Sequence, residues 1–221
     1  MVKIAMLPYR VRYQTIEFGE FDIHLQSLRD KQEFSDEDGV SESLGIYSSN
    51  WSLFGVLWGS SFTLAKMMKD YDLKGRRILE IGCGLGLASL VLNHRQADIT
   101  ATDYHPEAER FLDVNATLNE GKKIPFVRAD WNDGNIGVGD FDLIIGSDLL
   151  YERGHAKTLS SFVDSNAKNQ CEVIMVDPGR GRIARFGRFM HELGYEDELL
   201  PHTEIVSKEE PSRRQVHRYT R

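Results

Sequence analysis

Between Arg77 and Gly194 the chain alternates short apolar runs with stretches of helical spacing. Residues 78–81, 98–102, 125–129, Phe141–Ser147 and 172–177 read as strands. Residues Leu87–His94, 106–119, 155–167 and 183–193 read as helices. Pro106 is placed in the first turn of its helix, and Gly194 lies past the end of the last one. Strands that alternate with helices form a mostly parallel sheet covered on both faces, because each parallel return needs a crossover. Two late segments, residues 203–206 and Gln215–Thr220, read as closing strands and give the sheet an antiparallel edge. In such sheets ligands bind outside the carboxyl ends of the strands, where the strand order reverses. Residues that follow strands are therefore the candidates: Glu80, Gly82, Asp103, Asp130, Asp148 and Asp177.

Upstream, residues 11–28 alternate in a strand-like way on either side of Gly19-Glu20, which reads as a β-hairpin. Arg29 to Glu42 is acidic and rich in Ser and Gly, and reads as an exposed loop. Its Asp36-Glu37-Asp38-Gly39 lacks the twelve-residue ligand spacing of a calcium loop. Residues 50–70 carry apolar side chains mostly at helical spacing, with Ser60 or Ser61 as the cap. The 221 residues suit one domain with an extension. The expected division is residues 1–49 as hairpin and acidic-loop extension and residues 50–221 as the ligand-binding domain.

The first strand of the alternating region runs into Glu80-Ile81-Gly82-Cys83-Gly84-Leu85-Gly86, and a helix follows. Asp103 stands twenty-one positions beyond Gly82, after the second strand. A glycine turn with an acid about 20 residues on is the arrangement that holds an adenosine-bearing cofactor. An ionised Asp103 offers two acceptor oxygens to a pair of ribose hydroxyls. The dinucleotide pattern is Gly-x-Gly-x-x-Gly, whereas here position 87 is Leu and Glu80 stands two residues before the first glycine. This acid-x-Gly-x-Gly-x-Gly form resembles motif I of the seven-strand methyltransferases that bind S-adenosylmethionine. The resemblance implies a Rossmann-like seven-strand sheet. Glu80, Gly82, Cys83 and Gly84 are then expected around the cofactor's methionine end, Asp103 at its ribose, Asp130 at the adenine amino group, and Tyr104 among the remaining cofactor contacts. Trp131 is expected against the adenine ring, and Ser147 beside the cofactor.

Ser147-Asp148-Leu149-Leu150-Tyr151 follows the fourth strand, where many amino methyltransferases carry Asn-Pro-Pro-Tyr. Asp148-Leu149-Leu150-Tyr151 resembles the Asp-x-x-Tyr motif of a family of protein-lysine methyltransferases (methyltransferase family 16). Leu57-Trp58-Gly59-Ser60 resembles that family's Trp-containing segment beside the cofactor, with Gly59 where Pro is frequent. Asp177-Pro178-Gly179-Arg180 resembles its stretch after strand five. The match covers about residues 50 to 195. The resemblance implies transfer to a lysine amine of a protein, with Asp148 and Tyr151 as catalytic residues. Asp148 binds the ammonium and orients its nitrogen, and Tyr151 offers its ring face or hydroxyl. The plainer alternative is that Asp148 caps the next helix and Tyr151 is packing. Asp177 either lines the cleft or only ends its strand.

Other signals exclude more than they assert. Seven histidines without an HExxH or a tight His/Cys cluster argue against a metal. A net charge of −7 is a poor match for a nucleic-acid backbone. Arg180, Arg182, Arg185 and Arg188 read as the solvated face of a helix. Two cysteines, Cys83 and Cys171, form no disulfide framework and suit a reducing compartment. No apolar run approaches the length of a membrane span, and the N-terminus lacks a signal-peptide core, so a soluble, cytoplasmic monomer is expected. Methylation of a small-molecule amine or heterocyclic nitrogen stays open as an alternative, as does a cofactor-binding regulator without turnover.

Overall fold

A computed structural model describes residues 9–152, 154–201 and 214–221. Strands β1 (Val11–Glu17) and β2 (Asp22–Leu28) form the expected antiparallel hairpin, closed where Phe18 N–H donates to the Phe21 carbonyl at 2.9 Å. A short helix, α1 (Val40–Ser43), and two single helical turns lead to α2 (Gly59–Asp70). The alternating region then gives β3 (Arg77–Ile81), α3 (Leu87–His94), β4 (Asp98–Asp103), α4 (Ala108–Leu118), β5 (Phe126–Arg128), β6 (Phe141–Ser147), α5 (His155–Asn166), β7 (Ala167–Asp177) and α6 (Ile183–Glu192). Strands β8 (Glu196–Leu200) and β9 (Gln215–Thr220) close the chain.

Strands β3 to β9 form one seven-stranded sheet in the order β5-β4-β3-β6-β7-β9-β8. Its first five members pair in parallel, and β9 runs antiparallel to both β7 and β8. The central strands are apolar on both faces because both are covered. On β3, Ile78 packs with α2, α3 and α4, whereas Leu79 and Ile81 pack with α5 and α6. Residues Leu143, Ile144 and Ile145 of β6 alternate in the same way.

The hairpin belongs to the first of these cores through Ile23, Leu25 and Leu28. Its β2 edge is satisfied by two asparagines, Asn115 on α4 and Asn119 at the end of that helix. Asn115 Oδ1 accepts from Gln26 N–H at 2.7 Å, and Asn119 Oδ1 accepts from His24 N–H at 2.7 Å. Asn115 Nδ2 also donates to the Leu85 carbonyl at 3.3 Å, which couples the hairpin to the glycine turn.

Three local readings need correction, and the expected strand at 203–206 lies outside the described residues, after β8 at Glu196–Leu200. Helix α2 starts at Gly59 with Trp58 at its cap position, so Ser60 and Ser61 lie inside the first turn, where Ser61 Oγ donates back to the Trp58 carbonyl at 2.8 Å. Pro106 precedes α4 rather than opening it, because a turn closed by Ala108 N–H on the His105 carbonyl comes first. The acidic loop is not wholly exposed. Ser41 is buried, and Phe34 packs edge-on against Phe54 at 5.5 Å and His105 at 5.2 Å. None of the described helices is long and apolar enough to cross a membrane.

Candidate active site

The strand order reverses between β3 and β6. At the carboxyl ends of β3, β4 and β6 lies a cleft of about 590 Å³, within the usual 300–1,000 Å³ or so of small-molecule sites. Its floor is the glycine turn. Gly82 and Gly84 have φ of +58° and +54°, a region that residues with a Cβ enter only under strain. Space beneath the turn is also taken. A Cβ on Gly82 would run into the Leu149 side chain, and one on Gly84 would sit 3.0 Å from the Phe54 carbonyl oxygen. The glycines therefore admit protein on one side and leave Gly82, Cys83 and Gly84 lining the cleft on the other.

Glu80 does not reach the cleft. It is buried on β3, and its Oε2 accepts from Ser89 N–H at 2.9 Å and from the Ser89 hydroxyl. It ties the glycine turn to α3. Burial pushes its carboxyl up to about 7 against the two Ser89 hydrogen bonds.

Asp103 ends β4 with each oxygen holding one backbone N–H: Oδ2 that of Gly84 at 2.8 Å and Oδ1 that of His105 at 2.8 Å. Burial raises its pKa, and these bonds oppose the rise. A carboxylate oxygen has two acceptor sites, so each keeps one for a ligand. Tyr104 lines the cleft with its hydroxyl donated to the Leu44 carbonyl. Asp130 caps the helical turn Trp131–Asp133 through Oδ1, which accepts from Asn132 N–H at 2.9 Å, and Trp131 stands on the cleft wall. Trp58 and Ser147 also line the cleft, and Trp58 Nε1 donates to the Leu53 carbonyl at 2.9 Å.

Asp148, directly after β6, sits in left-handed backbone with φ of +55°. Asp tolerates that region better than most residues, and its N–H is held by the Val176 carbonyl at 2.9 Å. The turn aims the carboxylate at Arg180, whose Nη2 donates to Oδ2 at 2.9 Å, while Oδ1 is buried with no hydrogen-bond partner among the described residues. Burial raises the Asp148 pKa, and the Arg180 cation opposes the rise. Tyr151 lines the same cleft, its phenol pushed up to about 12, mostly by burial and then by Asp103.

Several residues of the site carried no sequence signal. His155, at the start of α5, stands edge-on between Trp131 at 5.0 Å and Tyr151 at 4.6 Å, and its Nδ1–H donates to the Leu149 carbonyl at 2.9 Å. Residues 44–50 form one wall, and Asn50 Nδ2 reaches across to Glu152 Oε1 at 3.1 Å. Arg180 and Arg182 are not part of a solvated helix face, since α6 begins only at Ile183. Arg180 holds Asp148, and Arg182 donates to the carbonyls of Leu150 and Tyr151. Arg185 and Arg188 are exposed as expected. Asp177 ends its strand. It is buried, and its Oδ1 accepts from the N–H groups of Gly179 at 2.7 Å and Arg180 at 3.2 Å, which shapes the turn that presents Arg180.

Among the described residues the cleft wall carries the carboxylates of Asp103, Asp130, Asp148 and Glu152 against the single guanidinium of Arg180. That excess of negative acceptors opposes a pyrophosphate and fits a ligand bearing an ammonium and a sulfonium. No group of three or more His, Cys, Asp or Glu side chains among the described residues is arranged to hold a metal.

This sheet and cleft define a class I S-adenosylmethionine-dependent methyltransferase, and S-adenosylmethionine is its cofactor. A family model described as lysine methyltransferase matches residues 44–193, and the chain belongs to that family. A Danio rerio protein N-lysine methyltransferase, METTL21A, is 29% identical over 158 residues, covering 66% of this chain and 71% of that protein. A Dictyostelium discoideum histidine protein methyltransferase 1 homolog is 30% identical over 135 residues, covering 56% of this chain but only 42% of its own length. The crystal structure of M. jannaschii TYW2 in complex with AdoMet superposes with a TM-score of 0.58 at 14% identity, covering 100% of this chain and 90% of that one, which is a likeness of fold.

Proposed function

We propose that this methyltransferase acts on the ε-amine of a lysine in a protein substrate. The observation that carries the reading is Asp148 Oδ1, a buried carboxylate oxygen that has no partner among the described residues and stands beside Tyr151 in the cofactor cleft. A buried acceptor left without a donor costs about 1–3 kcal/mol, so the site favours a ligand that brings an N–H. A lysine ammonium supplies both the donor and the compensating charge.

Asp148 holds and orients the amine, and Arg180 fixes the carboxylate so that Oδ1 faces the cleft. The Tyr151 ring offers a face to the incoming cation. Attack needs the nitrogen lone pair, so one proton must leave to Asp148 or to water. The cofactor supplies the electrophilic methyl group, and the rest of catalysis is alignment and exclusion of water. We assign Asp103 to the ribose hydroxyls, Asp130 and Trp131 to the adenine, and Trp58, Tyr104, Ser147 and the Gly82–Cys83–Gly84 backbone to the remaining cofactor contacts. The two free, buried cysteines fit a reducing, cytoplasmic setting.

A histidine acceptor is the second reading. It is favoured by the Dictyostelium relative's name and by Arg180, which offsets the negative charge that a lysine cation would seek. The test is incubation of the purified chain with labelled S-adenosylmethionine and a cell lysate, followed by acid hydrolysis. Label in Nε-methylated lysine supports the proposal, and label in methylhistidine replaces it. Asp148→Ala is expected to cut transfer at least a hundredfold while the Kd for S-adenosylhomocysteine stays within about threefold. Full activity in that variant refutes the role of Asp148.

A further inference from the structure

We propose that Lys31 of this chain is itself a methyl acceptor, modified in cis at the mouth of its own cleft. Lys31 lies in the exposed loop after β2. Its Nζ stands 4.3 Å from the centroid of the Trp58 ring, and Trp58 lines the cleft together with Asp148 and Tyr151. Other lysines are held differently. Lys74, Lys123 and Lys168 sit within ion-pair distance of carboxylates, and Lys66 lies over Phe62 away from the cleft. Lys31 has no carboxylate within ion-pair distance among the described residues, and an aromatic face at the cleft wall is what holds its amine.

Three features make this placement chemically useful. A cation on an indole face is held weakly, enough to bias the side chain toward the cleft without locking it. The flexible four-carbon stem lets the amine move from the ring toward the carboxylate that receives it. The charge of Lys31 is also felt at Asp148, where it favours the ionised carboxylate. An acceptor tethered to the enzyme needs no encounter step, so even an imperfect approach raises its effective concentration.

The step balances with the enzyme's own cofactor. The Lys31 ammonium gives one proton to Asp148 or water, and its lone pair forms an N–C bond. The S–C bond of S-adenosylmethionine breaks with its electron pair to sulfur, giving methyl-lysine and S-adenosylhomocysteine. Methylated ammonium groups bind aromatic faces well, so the product stays seated on Trp58.

This inference rests on the lysine reading above. The experiment incubates the full chain with S-adenosylmethionine alone and follows intact mass and then peptide mass. We expect gains in steps of one methyl group, at least tenfold more on Lys31 than on any other lysine, and absent in K31R. The rate per chain is expected to stay constant over a tenfold range of chain concentration. Label on other lysines but not Lys31, or a rate that rises with concentration, overturns the proposal. No gain at Lys31 while lysate lysines are methylated overturns this inference alone. Transfer only to histidine, or to no acceptor at all while S-adenosylhomocysteine binds, removes the lysine reading and this inference with it.

Discussion

Glu80 supplies a test whose size follows from the structure. Its carboxyl ionises at about 7 in the fold, against 4.5 for an exposed glutamate. The unfolded chain therefore releases this proton near pH 4.5, whereas the native state keeps it until about 7. Across that window the native state binds more protons, so this group makes stability fall as pH rises, and the fall is complete above 7. At 1.36 kcal/mol per pH unit of displacement, the loss is roughly 3 kcal/mol. Glu80→Gln keeps an acceptor for Ser89 but cannot ionise. Its packing cost is the same at every pH, so comparing its stability with that of the parent at two pH values isolates the ionisation. Relative to the parent, the variant is expected to gain about 3 kcal/mol between pH 4.5 and pH 8, which is on the order of 6–12 °C in Tm for a chain of this size. Denaturant or thermal unfolding of the cofactor-free chain at both pH values measures it. A difference between variant and parent that is unchanged across that range within about 0.5 kcal/mol refutes the assignment of a buried, proton-holding Glu80.

Arg180→Gln removes the cation beside Asp148, which leaves the target amine facing a more negative site that holds its proton more tightly. The midpoint of the pH–rate profile for transfer is expected to move up by about 1 pH unit, and an unmoved midpoint refutes the electrostatic role. Gly82→Ala must hold φ of +58° against the Leu149 side chain. A loss of about 2–4 kcal/mol in unfolding free energy is expected from the strained backbone and overpacking together, and a parent-like denaturation midpoint refutes that account.

The readings that survived from sequence are those set by short-range chemistry. The glycine turn, the strand ends at Asp103 and Asp148 and the hairpin at Gly19-Glu20 are each dictated within about ten residues, through backbone conformation and apolar alternation. Boundaries slipped where a local turn competed with a cap, as at Pro106 and at Ser60. What the sequence did not reveal depends on partners far apart in the chain. Arg180 meets Asp148 across 32 positions, and Asn115 meets Gln26 across 89. A run of four arginines has the same signature whether all are solvated or some are drawn into local contacts. Only the buried Asp177, which bonds the Gly179 and Arg180 amides, decides that Arg180 reaches the cleft wall.

The same distinction explains why Glu80 does not line the cleft. Two residues before the glycines, on a strand whose neighbours alternate between two cores, its side chain must enter one core or the other. Ile78, two residues earlier, packs with α2, α3 and α4, and a period of two sends Glu80 to that same face, under α3 rather than into the cleft. Strand parity, read strictly, therefore assigns Glu80 to the turn's support. Asp103 and Asp148 escape that rule because they stand where pairing ends, and there the chain can aim a carboxylate along the strand axis into the site.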